Sequence, residues 1–588
     1  MKWNLFIHLI VSSFAINLVH GQCPSDCICP RPGQVDCSGP DILVIPDNIP
    51  QNIRTLQIVN TEVTELPNGI LQNMTALLIL RIEKNELSTV GSTAFHNLIS
   101  LRYLSLANNR LQELHGNLFK DLAKLETLIL SNNQINQIHP SLFTALSNVK
   151  DLQLLGNNLE SIPVGVFDQM SGLLKLNLAK NNIRYLPPQA MDNLAKLQTL
   201  RLYENQLQDI PAGFLKKLSS LQEVALHSNK INTLSADTFS GNPYLQRVFL
   251  SNNEVETLPQ GIFLNLPEIT KLTLYGNALK ELNSEVFGPM PKLKELWLYD
   301  NQLEVLTDNV FSNLTEIVLL VISKNRIHSI STHAFYGLKE LQELSLHTNI
   351  LTTLDQDVLK CLPKLQNISL HSNKIEYLPG ALFKNMDTVM NIQLQNNSLE
   401  NIPDGFFDSL VQLHEVKLYE NPWKCDHNLL SLKNWISENM NKLGNHSQLV
   451  CTNPPFNGYP ISELSEQQLT SQDFTEEPDL FQSTSNYDTS SPEKTYHTAT
   501  MPSLTDTTMS HDSEDVSIAD ETLVPDDDAK DNGRVKMTGG VVIAIIVLCC
   551  IALVAAAIAC ILFNRRKKSH VVLMRMKQQN ESNKNGEC

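Results

Sequence analysis

Histidines, cysteines and carboxylates are the residues most able to act chemically, and in this chain they are scattered or clustered for other purposes. A search for an enzyme's parts looks for a nucleophile beside a base, metal-ligand spacing, or a glycine-rich phosphate loop. The chain has no GxGxxG, no phosphate-binding loop and no HExxH pair. His347 and His371 are 24 residues apart, a separation that gains meaning below. They are read as two solvated surface histidines; the rival reading, a zinc or pH-responsive pair, lacks a third ligand in register. The eleven cysteines fall into groups: four between Cys23 and Cys37, the pair Cys425 and Cys451, three at 549, 550 and 560, and Cys361 and Cys588 standing apart. Clustered pairs in an exported segment are read as disulfides. Cys361 is expected to be a free, partly buried thiol, with an intermolecular link as the rival. No enzyme, cofactor, metal or small-molecule substrate is expected.

The formal charge of −17 is unevenly spread. Residues 470–537 contain 16 Asp/Glu against 4 Lys/Arg, so most of the excess sits there and the remainder is near balance. A nucleic-acid partner, which wants a basic stripe, is not expected. Residues 1–21 read as a secretory signal, with Lys2 before an apolar stretch and a small residue, Gly21, at the cut. The uncharged run 541–563 would span roughly 34 Å as a helix, enough for a bilayer core of about 30 Å. Arg565, Arg566, Lys567 and Lys568 follow it as a stop-transfer cluster. The expected topology is single-pass type I in the plasma membrane, with a large outer part and a short tail at 564–588. Cys560 is read equally as an acylation site or as an ordinary membrane-helix cysteine.

What must position any functional side chain is a repeat. The pattern LxxLxLxxNxL begins at Ile53 and returns every 24 residues through Leu413, sixteen times without insertion or deletion. Asn occupies the ninth position from Asn85 to Asn421, and only the first unit departs, with Thr61. A second column in the same register is mostly Phe, at 119, 143, 167, 239, 263, 287, 311, 335, 383 and 407. This is the leucine-rich-repeat signature. Each unit is expected to lay down one short strand with alternate residues inward, so that Leu104 and Leu106 bury while Ser105 faces out. No unit buries its apolar side alone; stacked units share one core. A buried Asn column satisfies the backbone where each strand turns. The predicted fold is an α/β leucine-rich-repeat solenoid with a curved parallel sheet on the concave face and little room for long helices. The domains are signal 1–21, N-terminal cysteine cap 22–52, repeats 53–420, C-terminal cap 421–469, stalk 470–537, transmembrane helix 538–563 and tail 564–588. The stalk, rich in Ser/Thr and acids, is too polar to bury a core and is read as O-glycosylated. Asn73, Asn313, Asn367, Asn396 and Asn445 are N-glycosylation sequons; Asn580 fits the pattern but is placed on the cytoplasmic side.

Most outward strand positions carry Ser, Thr, Asn, Gln or balanced charge. In the middle and later repeats they become Tyr203, Phe249, Tyr275, Trp297, Tyr299 and Val321. Exposed aromatics are costly unless something covers them, so these six are the candidate ligand-binding residues. Phe249, Tyr275, Trp297 and Tyr299 are expected to form one patch, flanked by Arg201, Arg247, Lys271 and Glu295. The competing reading is that strands simply tolerate aromatics.

The order of parts, together with RIEKNELS at 81–88, LRYLSLANN at 101–109, FGPMPKLKELWLYDNQ at 287–302 and the VLM-x-MK tail ending in Glu587 and Cys588, resembles the extracellular leucine-rich-repeat membrane glycoproteins related to platelet glycoprotein V. Spacing alone permits three pairings of the first four cysteines; the resemblance implies Cys23–Cys29 and Cys27–Cys37. Caps of this family usually hold four cysteines at the far end. His427 stands where the second would be, which implies a single Cys425–Cys451 bridge. The resemblance also implies binding to collagen, fibronectin or laminin, cell–matrix adhesion and migration. The alternative is a ligand-sensing or signalling co-receptor, which ought to show a docking motif in its tail; no tyrosine follows Tyr496.

Overall fold

The computed structural model describes residues 23–444 and 449–470. The segments read as signal, transmembrane helix and tail, all of the stalk after residue 470, and the sequon at Asn445 lie outside the described residues. Sixteen short strands, from Thr55–Val59 to Glu415–Lys417, form a parallel sheet with one strand per 24-residue unit. Register is set by the repeat: Leu176 pairs with Leu200, Leu200 with Val224 and Val224 with Val248. The inward side chains of these strands are buried, as period-2 alternation requires. Two cap strands precede them. Cys27–Ile28 runs antiparallel to Gln34–Cys37, which in turn pairs parallel with Thr55–Val59. Among the described residues the α-helices are Leu430–Glu438 and Glu466–Thr470, both in the C-terminal cap. The expected α/β class therefore resolves to a parallel β-solenoid whose repeats close through turns.

The Asn column does the work expected of it. Asn229 donates from Nδ2 to the carbonyls of Leu202 and Leu226, both at 3.0 Å, and accepts at Oδ1 from the Leu207 amide at 3.1 Å. Each ladder residue thus ties its own strand to the unit before it. Where the first unit lacks Asn, Thr61 donates from its amide and hydroxyl to Asn85 Oδ1 at 2.8 and 2.9 Å, so the ladder ends satisfied. A further 24-residue column stands just before it. Asn108, Asn132, Lys180, Glu204, Ser228, Asn252 and Asp300 all have φ between 51° and 56°, and Gly156 and Gly276 take the same position. The left-handed conformation costs a non-glycine residue about 1–2 kcal/mol. It turns the chain so that the following Asn points into the core.

The Phe column, which Phe95 extends toward the N-terminus, is buried from Phe95 to Phe383 at no more than 1% exposure. Its adjacent rings lie 5.7 to 6.4 Å apart. Rings stacked between neighbouring units on the strand side are closer, at 4.3 to 4.6 Å. A stack wider on one side than on the other must curve, and the strand side is the concave one. At the C-terminal end Trp423 is buried and donates from Nε1 to the Leu418 carbonyl at 3.2 Å, while Trp435 packs against Phe407 at 4.4 Å between centroids. These two residues cover the last turn's open core. The structure pairs Cys23 with Cys29, Cys27 with Cys37 and Cys425 with Cys451. Cys361, expected to be free, is instead disulfide-bonded.

Candidate functional site

The outward side chains of each strand fall on three tracks that cross the sheet. Glu223, Ala225 and His227 hold one position on each, and every neighbouring unit adds its own triplet. The inward residues between them fix these positions, because a one-residue slip would turn the apolar set outward.

Six repeats in the middle of the solenoid depart from the polar norm. Glu223 is pinned between two arginines: Arg201 Nε reaches Oε1 at 3.0 Å, and Arg247 meets Oε2 through Nε at 2.7 Å and Nη2 at 2.6 Å. Burial pushes this carboxyl up, but the hydrogen bonds from Arg247 and Arg201 outweigh it and hold the group below the usual range. Beside the triad, Tyr203 stacks on His227 at 4.6 Å, and His227 meets Phe249 edge-on at 6.0 Å. Burial lowers the His227 pKa, against an opposing pull from Glu204, and its Nδ1 is buried without a hydrogen-bond partner. Lys271 Nζ lies over the Phe249 ring at 5.6 Å, a favourable cation–π placement.

The second group is Tyr275, Trp297 and Tyr299. Tyr275 and Tyr299 stack at 4.6 Å, Trp297 meets Tyr299 edge-on at 6.2 Å, and Trp297 Nε1 donates to Glu295 Oε2 at 3.2 Å. Burial pushes the Tyr299 phenol up to about 12, with Tyr275 and Asp300 adding to it. Of the four aromatics expected to form one patch, Tyr275 and Trp297 make ring contacts through Tyr299, and Phe249 through His227. Among the described residues no ring contact joins Phe249 to Tyr275 or Trp297. Between them lie Thr273 and Ser251, both buried, with the Thr273 hydroxyl 3.4 Å from that of Ser251. Val321 sits half-buried opposite Trp297 in the next strand.

His347 and His371 are neighbours, as the period demands, but they are not simply solvated. They stack at 4.3 Å, and Thr348 Oγ1 and Ser372 Oγ lie 2.9 and 3.1 Å from their Nδ1 atoms. Burial, then His371 and Lys324, push His347 down to about 4; burial and Lys417 lower His371. Stacking one ring on the other removes water from the two facing sides, while both side chains stay half-exposed at the sheet surface. Among the described residues no group of three His, Cys, Asp or Glu side chains is arranged to hold a metal ion.

Sequence reading missed His227 and the buried Glu223. The signal was present: His227 stands in the same 24-residue column as Tyr203 and Tyr275. Asn73, Asn313 and Asn396 are exposed, and Asn367 lies on the strand face, accepting from Asn391 at 2.7 Å.

Short parallel strands in a 24-residue register, an Asn ladder and a Phe spine define a class, the leucine-rich-repeat solenoid. The chain belongs to the leucine-rich-repeat family: the model of a leucine-rich repeat region matches residues 52–376 and a leucine-rich repeat model matches 363–422. Among curated proteins it is similar to human leucine-rich repeat-containing protein 15, 45% identical over 88 residues, and to mouse podocan-like protein 1, 35% identical over 98 residues. The matched stretches cover 15% and 16% of this chain and only 15% and 17% of those relatives. Among solved structures the fold matches a Leptospira interrogans leucine-rich-repeat protein (TM-score 0.52, 24% identity, 67% of this chain and 96% of that one). It also matches the Drosophila Toll–Spatzle complex (TM-score 0.53, 22% identity, 71% of this chain and 64% of that one).

Proposed function

We propose that this chain is a non-catalytic cell-surface receptor that binds proteins through its concave strand face. Collagen, fibronectin and laminin are the proposed matrix ligands, and cell adhesion and migration the proposed outcome. The observation that carries the reading is the half-exposed aromatic and cationic strip from Tyr203 to Val321 on an otherwise polar sheet. Aromatic anchors within a charged surround are the composition of protein-binding hot spots. In the shared fold, Toll is seen in complex with Spatzle. Anchoring through residues 541–563 belongs to the same proposal; no helix among the described residues is long and apolar enough to cross a membrane. Glycans on Asn73, Asn313 and Asn396, and one on Asn367 at the C-terminal end of the strip, would leave its centre open. The test is binding of cells carrying the full chain to surfaces coated with each matrix protein. Trp297→Ala with Tyr299→Ala is expected to weaken binding by about 2 kcal/mol, roughly 30-fold. Unchanged binding to every coating by a normally displayed variant would remove the strand face from the account.

A further inference from the structure

The central strip has an internal order that limits what fits it. One outward track is cationic, with Lys175, Arg247 and Lys271 in register across the sheet and Arg201 on the neighbouring track. The far track is aromatic, with Tyr203, His227, Tyr275 and Tyr299. Between Lys175 and Lys271 the cationic track carries one carboxylate, Glu223, which Arg201 and Arg247 already hold, and Asp151 and Glu295 bound the window on either side. Among the described residues no carboxylate pairs with Lys175 or Lys271, both of which are exposed. Glu223 itself shows how the strip takes a carboxylate, between two guanidinium groups.

We propose that this surface takes an extended acidic segment of a partner protein in which acidic residues alternate with aromatic or aliphatic ones. The inference rests on the strand face being a protein-binding surface and adds the chemistry of the partner. The two tracks are four residues apart along each strand, about 13 Å. Successive side chains of an extended peptide point to opposite sides, so a segment lying across the strands between the tracks sends its acids to one and its apolar groups to the other. Lys175 and Lys271 are four strands apart, about 19 Å, a span of about six extended residues. A sulfated glycan would satisfy the cations but has nothing to cover Tyr275, Trp297 and Tyr299, so the acidic peptide is favoured.

The experiment uses the detergent-purified full chain and three probes: a fluorescent peptide of alternating Glu and Tyr, a block peptide of the same composition, and heparin. The alternating peptide is expected to bind best and to weaken as salt rises. Its affinity should fall about tenfold in Lys175→Glu with Lys271→Glu, since charged surfaces alter association by that order or more. Lys175→Gln with Lys271→Gln, which only removes charge, should show a smaller loss in the same direction. Unchanged affinity in both variants, equal binding of the block peptide, or no binding of the alternating peptide would overturn the proposal. Heparin binding tighter than the peptide and lost with the same lysines would also overturn it, in favour of a sulfated glycan. If the lysine variants bind matrix proteins normally while Trp297→Ala with Tyr299→Ala does not, the acidic-partner inference fails and the proposed function stands. If neither pair of substitutions matters to the matrix proteins or to the peptide, both fall.

Discussion

The phenylalanines of the convex side and the aromatics of the strand face are similar side chains in opposite circumstances. Phe239, Phe263, Phe287, Phe311 and Phe335 recur at every unit, are fully buried and stack on one another at 5.7 to 6.4 Å. Tyr203, Phe249, Tyr275, Trp297 and Tyr299 fall on two tracks without a period and keep part of their surface in water; Tyr275, Trp297 and Tyr299 meet at 4.6 to 6.2 Å, whereas Tyr203 and Phe249 each meet His227. Repetition marks what every unit needs in order to stack. Departure from repetition marks what a unit does for some other reason. A solenoid makes this separation unusually clean, because each unit touches only its neighbours and the same requirement is posed sixteen times.

The contrast is sharpest when a spine residue is removed. Phe263→Ala takes a ring from between Phe239 and Phe287 and should cost about 3–5 kcal/mol, read as unfolding free energy of the full chain in denaturant. A ladder residue comes next. Asn229→Ala leaves the Leu207 amide unpaired and removes one of two side-chain donors from each of the Leu202 and Leu226 carbonyls, which keep Asn205 and Asn253; it should cost about 1–3 kcal/mol. A loss no larger than that of an exposed substitution would mean water satisfies those groups.

A smaller effect belongs to the histidine pair on the strand face. His347 stays neutral in the folded protein down to about 4, whereas in the unfolded chain it protonates near its ordinary value of about 6.5. Between those values the unfolded state binds more protons, so stability falls as pH drops through the window. His371 and His227, both lowered, act in the same sense. His347→Gln should therefore lose less stability between neutral pH and pH of about 5 than the native chain does. Parallel losses would show that the stacked pair titrates as though solvated.

How much of this was legible in the sequence follows the same division. The strand register, the Asn ladder and the Phe spine were readable because each is one residue type at one period. The left-handed column before each Asn was harder to see, since Asn, Lys, Glu, Ser, Asp and Gly all occupy it; only its φ is conserved from unit to unit. On the strand face the candidate aromatics were found by type. Their grouping was not, because it depends on Thr273 and Ser251 being small and on His227 filling the gap between Tyr203 and Phe249. The burial of Glu223 needed both arginines to be seen at once, one on its own track and one beside it.

The central claim is that aromatics on the spine hold the fold and aromatics on the strand face do not. The most direct measurement is the unfolding free energy of the full chain carrying Trp297→Ala, taken beside that of Phe263→Ala under the same conditions. Trp297 makes one edge contact with Tyr299 and one hydrogen bond to Glu295, so its loss should cost about 1 kcal/mol or less, against about 3–5 kcal/mol for the spine residue. Equal losses from the two substitutions would contradict the claim and make the strand-face aromatics part of the scaffold.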